Sequence, residues 1–326
     1  MLDVRPFDGR RATDAEIDEY HELRCAVYRV DIPELPAPAR SETAARLAQP
    51  QLFLGERLIW FARLGGRLAG AALVNLPVDG DENTAVVHVL VHPDLRRQGI
   101  GTRLLHTVTP TLRDRGRTAV QGYDVTKGGA GDQWAKALAF RVMYSTLVQV
   151  LRFAEVERGR WDVAVPEGYR LVRWIGVAPD DIVESYATAL TALGDAPTGD
   201  SGLTLSEWSV DRVRRLEADY AEHGIERRIV LAVTAEGQAA GVTELERRPL
   251  NPERLAQGAT TVLATHRGHG LGLAMKAAML RWFTADYDGL ADVTTYTGAA
   301  NVHMVEVNHR LGYETVRHAN AVGRAL

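Results

Sequence analysis

The chain has 326 residues, and its 38 Lys and Arg against 42 Asp and Glu give a formal net charge of −4 at pH 7. This length accommodates about two domains of ordinary size. A content of 46% hydrophobic and 25% charged residues is typical of a globular protein with a buried core. The slight acidic excess disfavours a protein that binds nucleic acid or a membrane surface through a general basic face.

Cysteine content and apolar segments indicate the environment of the chain. Cys25 is the single cysteine, which excludes an intramolecular disulfide and a cysteine-cluster metal site and fits a reducing compartment. We find no signal peptide and no stretch that approaches about 18 uninterrupted apolar residues. We therefore expect a cytoplasmic protein with no metal site, no nucleic-acid partner and no membrane partner, present as a monomer or a homodimer.

Both halves of the chain are predicted to alternate helices and strands in a similar order. In the first half, helices are expected at 13–30, 41–48 and 101–115, and strands at 58–64, 68–76 and 84–91. In the second half, helices are expected at 180–193, 210–223, 271–283 and 301–311, and strands at 229–234, 240–246, 292–296 and 313–317. Ser41 is the expected N-cap of the second helix. Mixed elements in this order predict an α/β or α+β sheet with helices on both faces.

One strand–turn–helix segment occurs twice. Residues 89–105 and 260–275 have the same layout, and the spacing between Arg96 and Arg267 equals that between Gly101 and Gly272. The chain is therefore predicted to contain two copies of one domain, at 1–158 and 165–326, joined near residues 152–166.

The repeated turn reads Arg-x-x-Gly-x-Gly between a β-branched strand and an amphipathic helix. Such a turn aims backbone N–H groups at a helix N-terminus, where the helix dipole favours an anion. Glycines allow close approach to the anion, and the arginine offers a charged fork to phosphate oxygens. A plain strand-to-helix connection is the alternative, but two copies favour the anion site. A P-loop would need a lysine that neither turn has, and a Rossmann fingerprint would need to open the first βαβ unit.

Residues 91–101, Val-His-Pro-Asp-Leu-Arg-Arg-Gln-Gly-Ile-Gly, resemble the pyrophosphate-binding signature of the GNAT family of N-acetyltransferases, which bind acetyl-CoA. Residues 301–313, Asn-x-x-Met-x-x-x-Asn-x-x-Leu-Gly-Tyr, are similar to the C-terminal segment of that family. The second turn, at 266–272, resembles a variant of the signature. The chain thus resembles a tandem GNAT protein, which implies two domains, each a mixed, mostly antiparallel sheet flanked by helices.

The resemblance implies that acetyl-CoA is the co-substrate and that an amine attacks its thioester directly, without a covalent enzyme intermediate. The strand before each turn should then diverge from its neighbour and hold the pantetheine arm through its backbone. The residues implied to bind acetyl-CoA are Leu90, Val91, Arg96, Arg97, Gln98, Gly99, Ile100, Gly101 and Thr102 in the first half, and Thr261, Val262, Arg267, Gly268, His269, Gly270, Leu271, Gly272 and Asn301 in the second.

The usual acid and base of the family are missing at the implied positions. Ala85 and Ala256 stand where many members place a glutamate, and Asn308 stands where a tyrosine acid is frequent. Asn308 can donate a hydrogen bond but cannot protonate a thiolate. Neither half therefore has the glutamate base and the tyrosine acid that are frequent in the family.

Candidate replacements lie mostly in the second half. Glu244 is the candidate base, with a solvated sheet face as the alternative, and Tyr296 is the candidate acid, with core packing as the alternative. Asn308 remains a candidate hydrogen-bond donor at the site. His88 is the base candidate of the first half, with a structural role as its alternative.

Asp195 is the candidate substrate-binding residue. It lies in a stretch poor in cations, where a carboxylate would attract a cationic amine, although a turn-forming role beside Pro and Gly is the alternative. The sequence predicts N-acetylation of a small-molecule amine, with catalysis in the second half. The alternative is an acyl-CoA-binding module in which one or both halves are non-catalytic.

Overall fold

The computed structural model describes residues 1–48, 55–77, 82–195 and 208–326. These residues form two compact units. The first unit contains Met1–Ser145 together with Ala319–Leu326, and the second contains Thr146–His318. In each unit, the strands have an apolar core on either face.

The first unit alternates strands and helices in the order that the sequence predicts. Its elements are β1 (Leu2–Phe7), α1 (Asp14–Asp31), α2 (Arg40–Ala48), β2 (Glu56–Leu64), β3 (Arg67–Leu76), β4 (Thr84–Val91), α3 (Ile100–Asp114), β5 (Ala119–Thr126), α4 (Ala130–Ala137) and the start of β6 (Arg141–Arg152). Gly65 and Gly66 both have positive φ in the β2–β3 turn, which confirms the expected hairpin.

The sheet of the first unit is antiparallel apart from one pair. Its strands follow the order β1-β2-β3-β4-β5, and only β4 and β5 run parallel. Leu104, Val108 and Leu112 recur every four residues along α3 and are fully buried against one face. Tyr20 and Leu23 of α1 are buried in the core on the other face.

The N-cap predicted for α2 is wrong. The helix begins at Arg40, so Ser41 lies inside its first turn. The Glu42 carboxylate accepts a hydrogen bond from the Ala39 N–H at 2.7 Å, and this side chain satisfies a backbone donor at the helix start.

The second unit repeats the layout. Its elements, after the end of β6, are β7 (Tyr169–Ile175), α5 (Val183–Thr191), α6 (Val210–Glu222), β8 (Glu226–Thr234), β9 (Ala239–Arg247), β10 (Arg254–Val262), α7 (Leu271–Asp286), β11 (Asp292–Gly298), α8 (Val302–Leu311) and β12 (Glu314–Ala325). The strand order is β7-β8-β9-β10-β11-β6, and only β10 and β11 run parallel. Gly312, with φ 100°, ends α8 as the sequence predicts.

The division between the units differs from the boundary expected near residues 152–166. Residues 146–152 of β6 pair with β11 in the second unit. Residues 319–325 of β12 pair with β5 in the first unit. Each unit therefore includes part of a strand that lies on the far side of the boundary expected from the sequence, and pairing so distant in sequence leaves no local pattern that marks it.

None of the described helices is both long and apolar enough to cross a membrane.

Candidate functional site

In each unit, the strand before the glycine turn pairs with its parallel neighbour only at its start. β4 pairs with β5 over residues 84–86, and β10 pairs with β11 over residues 254–256. Beyond those residues, and within the described chain, β4 and β10 pair only with the strand on their other side. A gap therefore opens beside the end of each strand, where the resemblance implies that the pantetheine arm lies.

The first glycine turn leaves backbone donors at the start of α3. Gly99 has φ 78° and is the N-cap of the helix, whose first bond runs from the Arg103 N–H to the Gly99 carbonyl at 2.9 Å. The N–H groups of Ile100, Gly101 and Thr102 precede that bond and point out of the helix end. An ideal Cβ at Gly99 would meet no atom within 4 Å, so the turn faces open space. This geometry favours an anion.

A cavity of about 380 Å³ lies on this turn. It is lined by β4, the turn and the starts of α3 and α4, including Leu90, Val91, Arg96, Arg97, Gly99, Ile100, Gly101 and Thr102. The volume lies within the roughly 300–1,000 Å³ of small-molecule sites. The strand gap, the backbone donors and the cavity together fit an elongated, phosphate-bearing co-substrate such as acetyl-CoA.

Arg96 has a different role from the phosphate contact expected for it. Its Nη1 and Nη2 atoms donate to the two oxygens of Asp31 at 2.9 and 2.7 Å, and its Nε donates to the Val91 carbonyl at 3.3 Å. A bidentate pair holds the guanidinium in one orientation, so Arg96 fastens the turn to the end of α1. Arg97 has φ 65°, is exposed and lines the cavity. Arg97 is therefore the better placed of the two for an anion.

The second turn has the same backbone geometry. Gly270 has φ 79° and is the N-cap of α7, whose first bond runs from the Ala274 N–H to the Gly270 carbonyl at 3.1 Å. An ideal Cβ at Gly272 would lie no closer than 3.9 Å to its nearest neighbour, Cγ2 of Val262. The exposed Arg267 donates from Nε to the Val262 carbonyl at 3.1 Å. The second turn thus also presents a helix N-terminus with room for an anion.

Two histidines of the second turn contact Tyr169. The hydroxyl of Tyr169 lies 3.0 Å from Nδ1 of His266, and its ring packs against His269 with 5.8 Å between ring centroids. Thr261, just before the turn, is buried and donates from Oγ1 to the Ala189 carbonyl at 2.8 Å. These contacts fix the turn against β7 and α5.

The second unit has a β-bulge that its counterpart strand lacks. The register of β10 with β9 shifts between Gln257 and Thr260, whereas the register of β4 with β3 is continuous. Gly258 lies in the bulge, and an ideal Cβ there would come within 3.1 Å of Oε2 of Glu244. The Glu244 carboxylate therefore lies against the bulge, beside the gap between β10 and β11.

Glu244 is buried within a hydrogen-bonded cluster. Its Oε1 accepts from the Tyr186 hydroxyl at 2.5 Å and from Nη2 of Arg227 at 2.7 Å. Burial raises the pKa of Tyr186 well above its ordinary value, so the hydroxyl remains a donor. Burial alone would lower the pKa of Arg227, but Glu244 raises it, and the arginine stays charged. Among the described residues, Oε2 of Glu244 accepts no hydrogen bond and faces the bulge.

Glu246 lies two residues further along β9, on the same face of the sheet. Its Oε1 accepts from the Tyr220 hydroxyl at 2.5 Å, and its Oε2 accepts from Arg248 at 2.8 Å. Both carboxylates face α5 and α6, because alternate residues of a strand share a face. The solvated sheet face weighed as an alternative is wrong, since Glu244 and Glu246 are 5% and 9% exposed.

A buried lysine lies on the opposite face, under α7. Lys276 is 2% exposed, and its Nζ donates to Oε1 of Gln257 at 2.8 Å and lies 5.0 Å from the ring centre of Tyr313. Gln257 is the first residue of β10 after the last one that pairs with β11. Burial lowers the pKa of Lys276 to about 7.

Replacement of Lys276 by Met is expected to stabilise the fold at neutral pH. The fold lowers the pKa of Lys276 from 10.5 to about 7, so the unfolded chain binds the extra proton between these values. Wild-type stability therefore rises with pH from about 7 to about 10.5, and Lys276→Met removes this slope. We expect a gain of roughly 2–4 kcal/mol at pH 7 that shrinks towards pH 10.

Urea denaturation at neutral and at alkaline pH measures this difference. Leu105 has the matching position on α3, and Leu105→Met is the control, with no change in the pH dependence. If Lys276→Met and wild type differ by the same free energy at both pH values, Lys276 keeps its ordinary pKa in the fold.

Two predicted site residues, Asn308 and Asn301, make structural hydrogen bonds. Asn308 is fully buried and donates from Nδ2 to Gln149 at 2.8 Å and to Thr297 at 3.1 Å, which holds it within the core. Asn301 accepts from the Met304 N–H at 3.1 Å, so it caps α8 rather than facing the turn.

Three further predicted residues lie outside the buried cluster. Tyr296 has 54% of its surface exposed, so the core packing weighed for it is wrong. In the first unit, burial and nearby arginines lower the pKa of His88 to about 4, which leaves it a weak base at neutral pH. Asp195 ends a short 3₁₀ turn, and its side chain lies outside the described part of the chain.

The first unit lacks the carboxylate pair. In the matching registers, Leu73 stands opposite Ile59 where Glu244 stands opposite Ile229. Asn75 likewise takes the place of Glu246, opposite an arginine in both units. The first unit thus shares the turn and the gap but not the acidic groups.

Sequence reasoning missed three residues of this region: Arg227, Gln257 and Lys276. The signal for Lys276 was a single charge within Leu-Ala-Met-Lys-Ala-Ala-Met-Leu, and that for Arg227 was a charge before the apolar run Ile-Val-Leu-Ala-Val. Such charges are almost never buried unless paired, so each indicates a special environment. Gln257 has no comparable signal.

Over the described residues, no group of three or more His, Cys, Asp or Glu side chains is placed to hold a metal ion.

Comparison with known proteins gives a consistent result. The model of the Acetyltransferase (GNAT) family matches residues 18–128. A mycothiol acetyltransferase of Saccharomonospora viridis is 28% identical, with 96% of this chain and 97% of the relative covered. A mycothiol acetyltransferase of Pseudarthrobacter chlorophenolicus is also 28% identical, with 76% and 72% covered. A tandem GNAT protein from the clavulanic acid biosynthesis pathway has a similar structure, with a TM-score of 0.79, 25% identity, and 100% and 98% of the two chains covered.

Proposed function

We propose that the second unit of this acetyl-CoA-dependent N-acetyltransferase, which is similar to tandem members of the GNAT family, transfers the acetyl group to the amine of a small molecule. The observation that carries this proposal is the buried Glu244 carboxylate against the bulge at Gly258. Acetyl-CoA supplies an activated acetyl group as a thioester. The chain must then deprotonate the amine and position it.

Glu244 is suited to accept the proton of an incoming ammonium. Its Oε1 is fixed by Tyr186 and Arg227, while its Oε2 faces the bulge and accepts no hydrogen bond from the described residues. A base held in one orientation beside the reacting atoms needs little reorganisation during proton transfer. Glu246, on the same face, adds a second negative charge that would attract a cationic acceptor.

The bulge itself is suited to polarise the thioester. Residues 258–259 lie between the paired residues Gln257 and Thr260, so their backbone falls outside the regular β9–β10 ladder. Backbone N–H groups that a strand partner does not use can donate to a developing negative charge on a carbonyl oxygen. We place the thioester at this point of the gap.

For the first unit, we propose acetyl-CoA binding without catalysis. Its turn and its cavity of about 380 Å³ fit the co-substrate. However, Leu73 and Asn75 stand where the second unit has Glu244 and Glu246, and the pKa of His88 is lowered to about 4. The alternative function, an acyl-CoA-binding module without catalysis, therefore applies in this proposal to the first unit alone. The name of the relatives, mycothiol acetyltransferase, supports a small molecule as the acceptor class.

Glu244→Gln is expected to lower kcat and kcat/KM together by about 100- to 1,000-fold, because the amide cannot accept the proton in the transition state. The measurement is release of the free thiol of CoA with a panel of small amines. Calorimetry on the same variant should give unchanged affinity for CoA, since Glu244 lies on β9, away from the glycine turn.

Glu246→Gln is the matched control, two residues away on the same face and bonded to Tyr220 in the same manner. It should lose less than about tenfold in kcat, through weaker attraction of the acceptor alone. Equal losses of kcat in Glu244→Gln and Glu246→Gln would argue against Glu244 as the base. A folded wild type that acetylates no amine of the panel would remove the proposal of small-molecule transfer.

A further inference from the structure

We propose that Lys276 donates the proton to the sulfur atom that leaves when the acetyl group is transferred, an inference that rests on the proposed site in the second unit. The acid expected from the sequence was Tyr296, with Asn308 at the position where a tyrosine is frequent in the family. Neither residue has the position or chemistry for the task, whereas Lys276 has both.

Lys276 lies where the strand gap begins. Its Nζ is 2.8 Å from Oε1 of Gln257, the first residue of β10 beyond its pairing with β11. The Nε2 atom of the same Gln257 donates to Oγ1 of Thr243 at 3.2 Å and to the backbone carbonyl of Glu244. One amide therefore links Lys276 to the strand that carries the proposed base.

The lysine and the base lie on opposite faces of the sheet. Glu244 packs against Tyr186 of α5, and Lys276 projects from α7 on the other face. The reacting carbonyl would lie between them, in the gap at the level of the sheet. The amine would then lose its proton on one face, and the sulfur would receive its proton on the other. This arrangement separates the two proton transfers.

The surroundings of Lys276 leave its donors largely unused. An ammonium has three N–H donors, and among the described residues Gln257 is its single hydrogen-bond acceptor. The hydroxyl of Tyr313, whose ring centre lies 5.0 Å from Nζ, is buried and has no hydrogen-bond partner among the described residues. Buried polar groups without partners are rare, so this hydroxyl and the free donors of Lys276 leave room for a further polar group, such as the sulfur end of the co-substrate. Burial lowers the pKa of Lys276 to about 7, which suits exchange of a proton at neutral pH.

The competing donors fit less well. Tyr296 is 54% exposed and so is not enclosed with the reacting atoms. Both Nδ2 contacts of Asn308 are to buried core residues, Gln149 and Thr297, and an amide cannot give up a proton at neutral pH. In the first unit, Leu105 has the position of Lys276, so the donor is absent from the half that also lacks Glu244.

The proton balance of the step is complete with these residues. The amine nitrogen bonds to the acetyl carbon as the carbon–sulfur bond breaks, and the electron pair of that bond goes to sulfur. The ammonium first loses one proton through Glu244 to water, so that the neutral amine attacks; Glu244 then takes the second proton from nitrogen during attack, and Lys276 gives a proton from Nζ to sulfur. When the products leave, water carries the proton from Glu244 away and returns one to Lys276. No oxidant or metal is required.

The test measures the acidity of the CoA thiol bound to the second unit, with Gly101→Glu as the background that closes the first. A thiolate beside Lys276 would raise the pKa of the lysine, and the ammonium in turn would lower the pKa of the bound thiol by at least about one unit relative to Lys276→Met in the same background. Ultraviolet absorbance of the thiolate during a pH titration reports this value without any turnover. In parallel, Lys276→Met should lower kcat by about 100-fold or more.

Leu105→Met controls for a methionine at the matching helix position and should change neither quantity. Equal thiol pKa values with and without Lys276 would overturn the proposal, as would a larger loss of kcat in Tyr296→Phe than in Lys276→Met. A wild type without turnover would remove the proposed function, while the thiol titration would still decide whether Lys276 contacts sulfur. No CoA binding in the Gly101→Glu background would overturn both proposals.

Discussion

Gly272→Glu is expected to lower turnover by about 1,000-fold or more, and Gly101→Glu by less than about tenfold. Each substitution places a carboxylate at the first turn of a helix, where the backbone N–H groups would bind the pyrophosphate. The added charge repels that anion, and the side chain fills its space. Only the second turn serves the unit that contains Glu244 and Lys276, so only its loss should remove catalysis.

Both variants are expected to fold. An ideal Cβ at Gly272 would lie 3.9 Å from its nearest neighbour, and one at Gly101 would lie 3.5 Å from the Trp134 ring, which are ordinary contacts. Both residues are helical and follow the left-handed glycines at 99 and 270. Circular dichroism and thermal melts similar to wild type would confirm the folds.

Calorimetry with CoA gives an independent measure of the same prediction. Wild type should bind about two CoA molecules per chain, and each glycine variant about one, if each turn holds one pyrophosphate. Loss of turnover in Gly101→Glu with full activity in Gly272→Glu would move the active site to the first unit and make His88 the leading base.

Arg227→Met is expected to lower the free energy of unfolding by about 3–5 kcal/mol, because it leaves Glu244 buried without its counter-charge. Arg227 is 2% exposed, and its Nη2 contacts both Glu244 and the Tyr186 hydroxyl. Among the described residues, its Nε and Nη1 atoms are buried without a hydrogen-bond partner, so Glu244 is the main counter-charge beside the rings of Tyr186 and Tyr220. Glu244→Gln should also destabilise, since it leaves the guanidinium unpaired.

The double variant Arg227→Met with Glu244→Gln should recover most of the loss, because a buried pair replaced as a whole is often nearly neutral in stability. Arg57→Met is the matched control in the first unit, where Arg57 faces Asn75 rather than a carboxylate. Arg57→Met should lower the free energy of unfolding by less than Arg227→Met does, since it leaves no buried carboxylate without a counter-charge. Urea denaturation with peptide-level hydrogen exchange measures each effect. If the double variant loses as much unfolding free energy as the two single variants together, Arg227 and Glu244 are not coupled.

The local elements and the glycine turns were predictable because each depends on neighbours in sequence. The hairpin at Gly65 and Gly66 and the end of α8 at Gly312 follow from residues that accept a left-handed backbone. The repeat of the turn, at equal spacing in both halves, predicted two similar units. Arg96 shows the limit of this reasoning, because its partner Asp31 lies at the end of a distant helix.

The sequence by itself therefore determined the fold class, the tandem repeat, the position of the two glycine turns and the acetyl-CoA co-substrate. Only the tertiary structure decided which unit has buried carboxylates at the strand gap, that β6 and β12 each contribute residues to both units, and that Lys276 reaches Gln257. The physical reason is that backbone conformation depends on adjacent residues, whereas burial, pairing and pKa depend on groups brought together from far apart in the chain. Glu244 could be named from strand alternation, but its environment depends on Tyr186 and Arg227, which are 58 and 17 residues away.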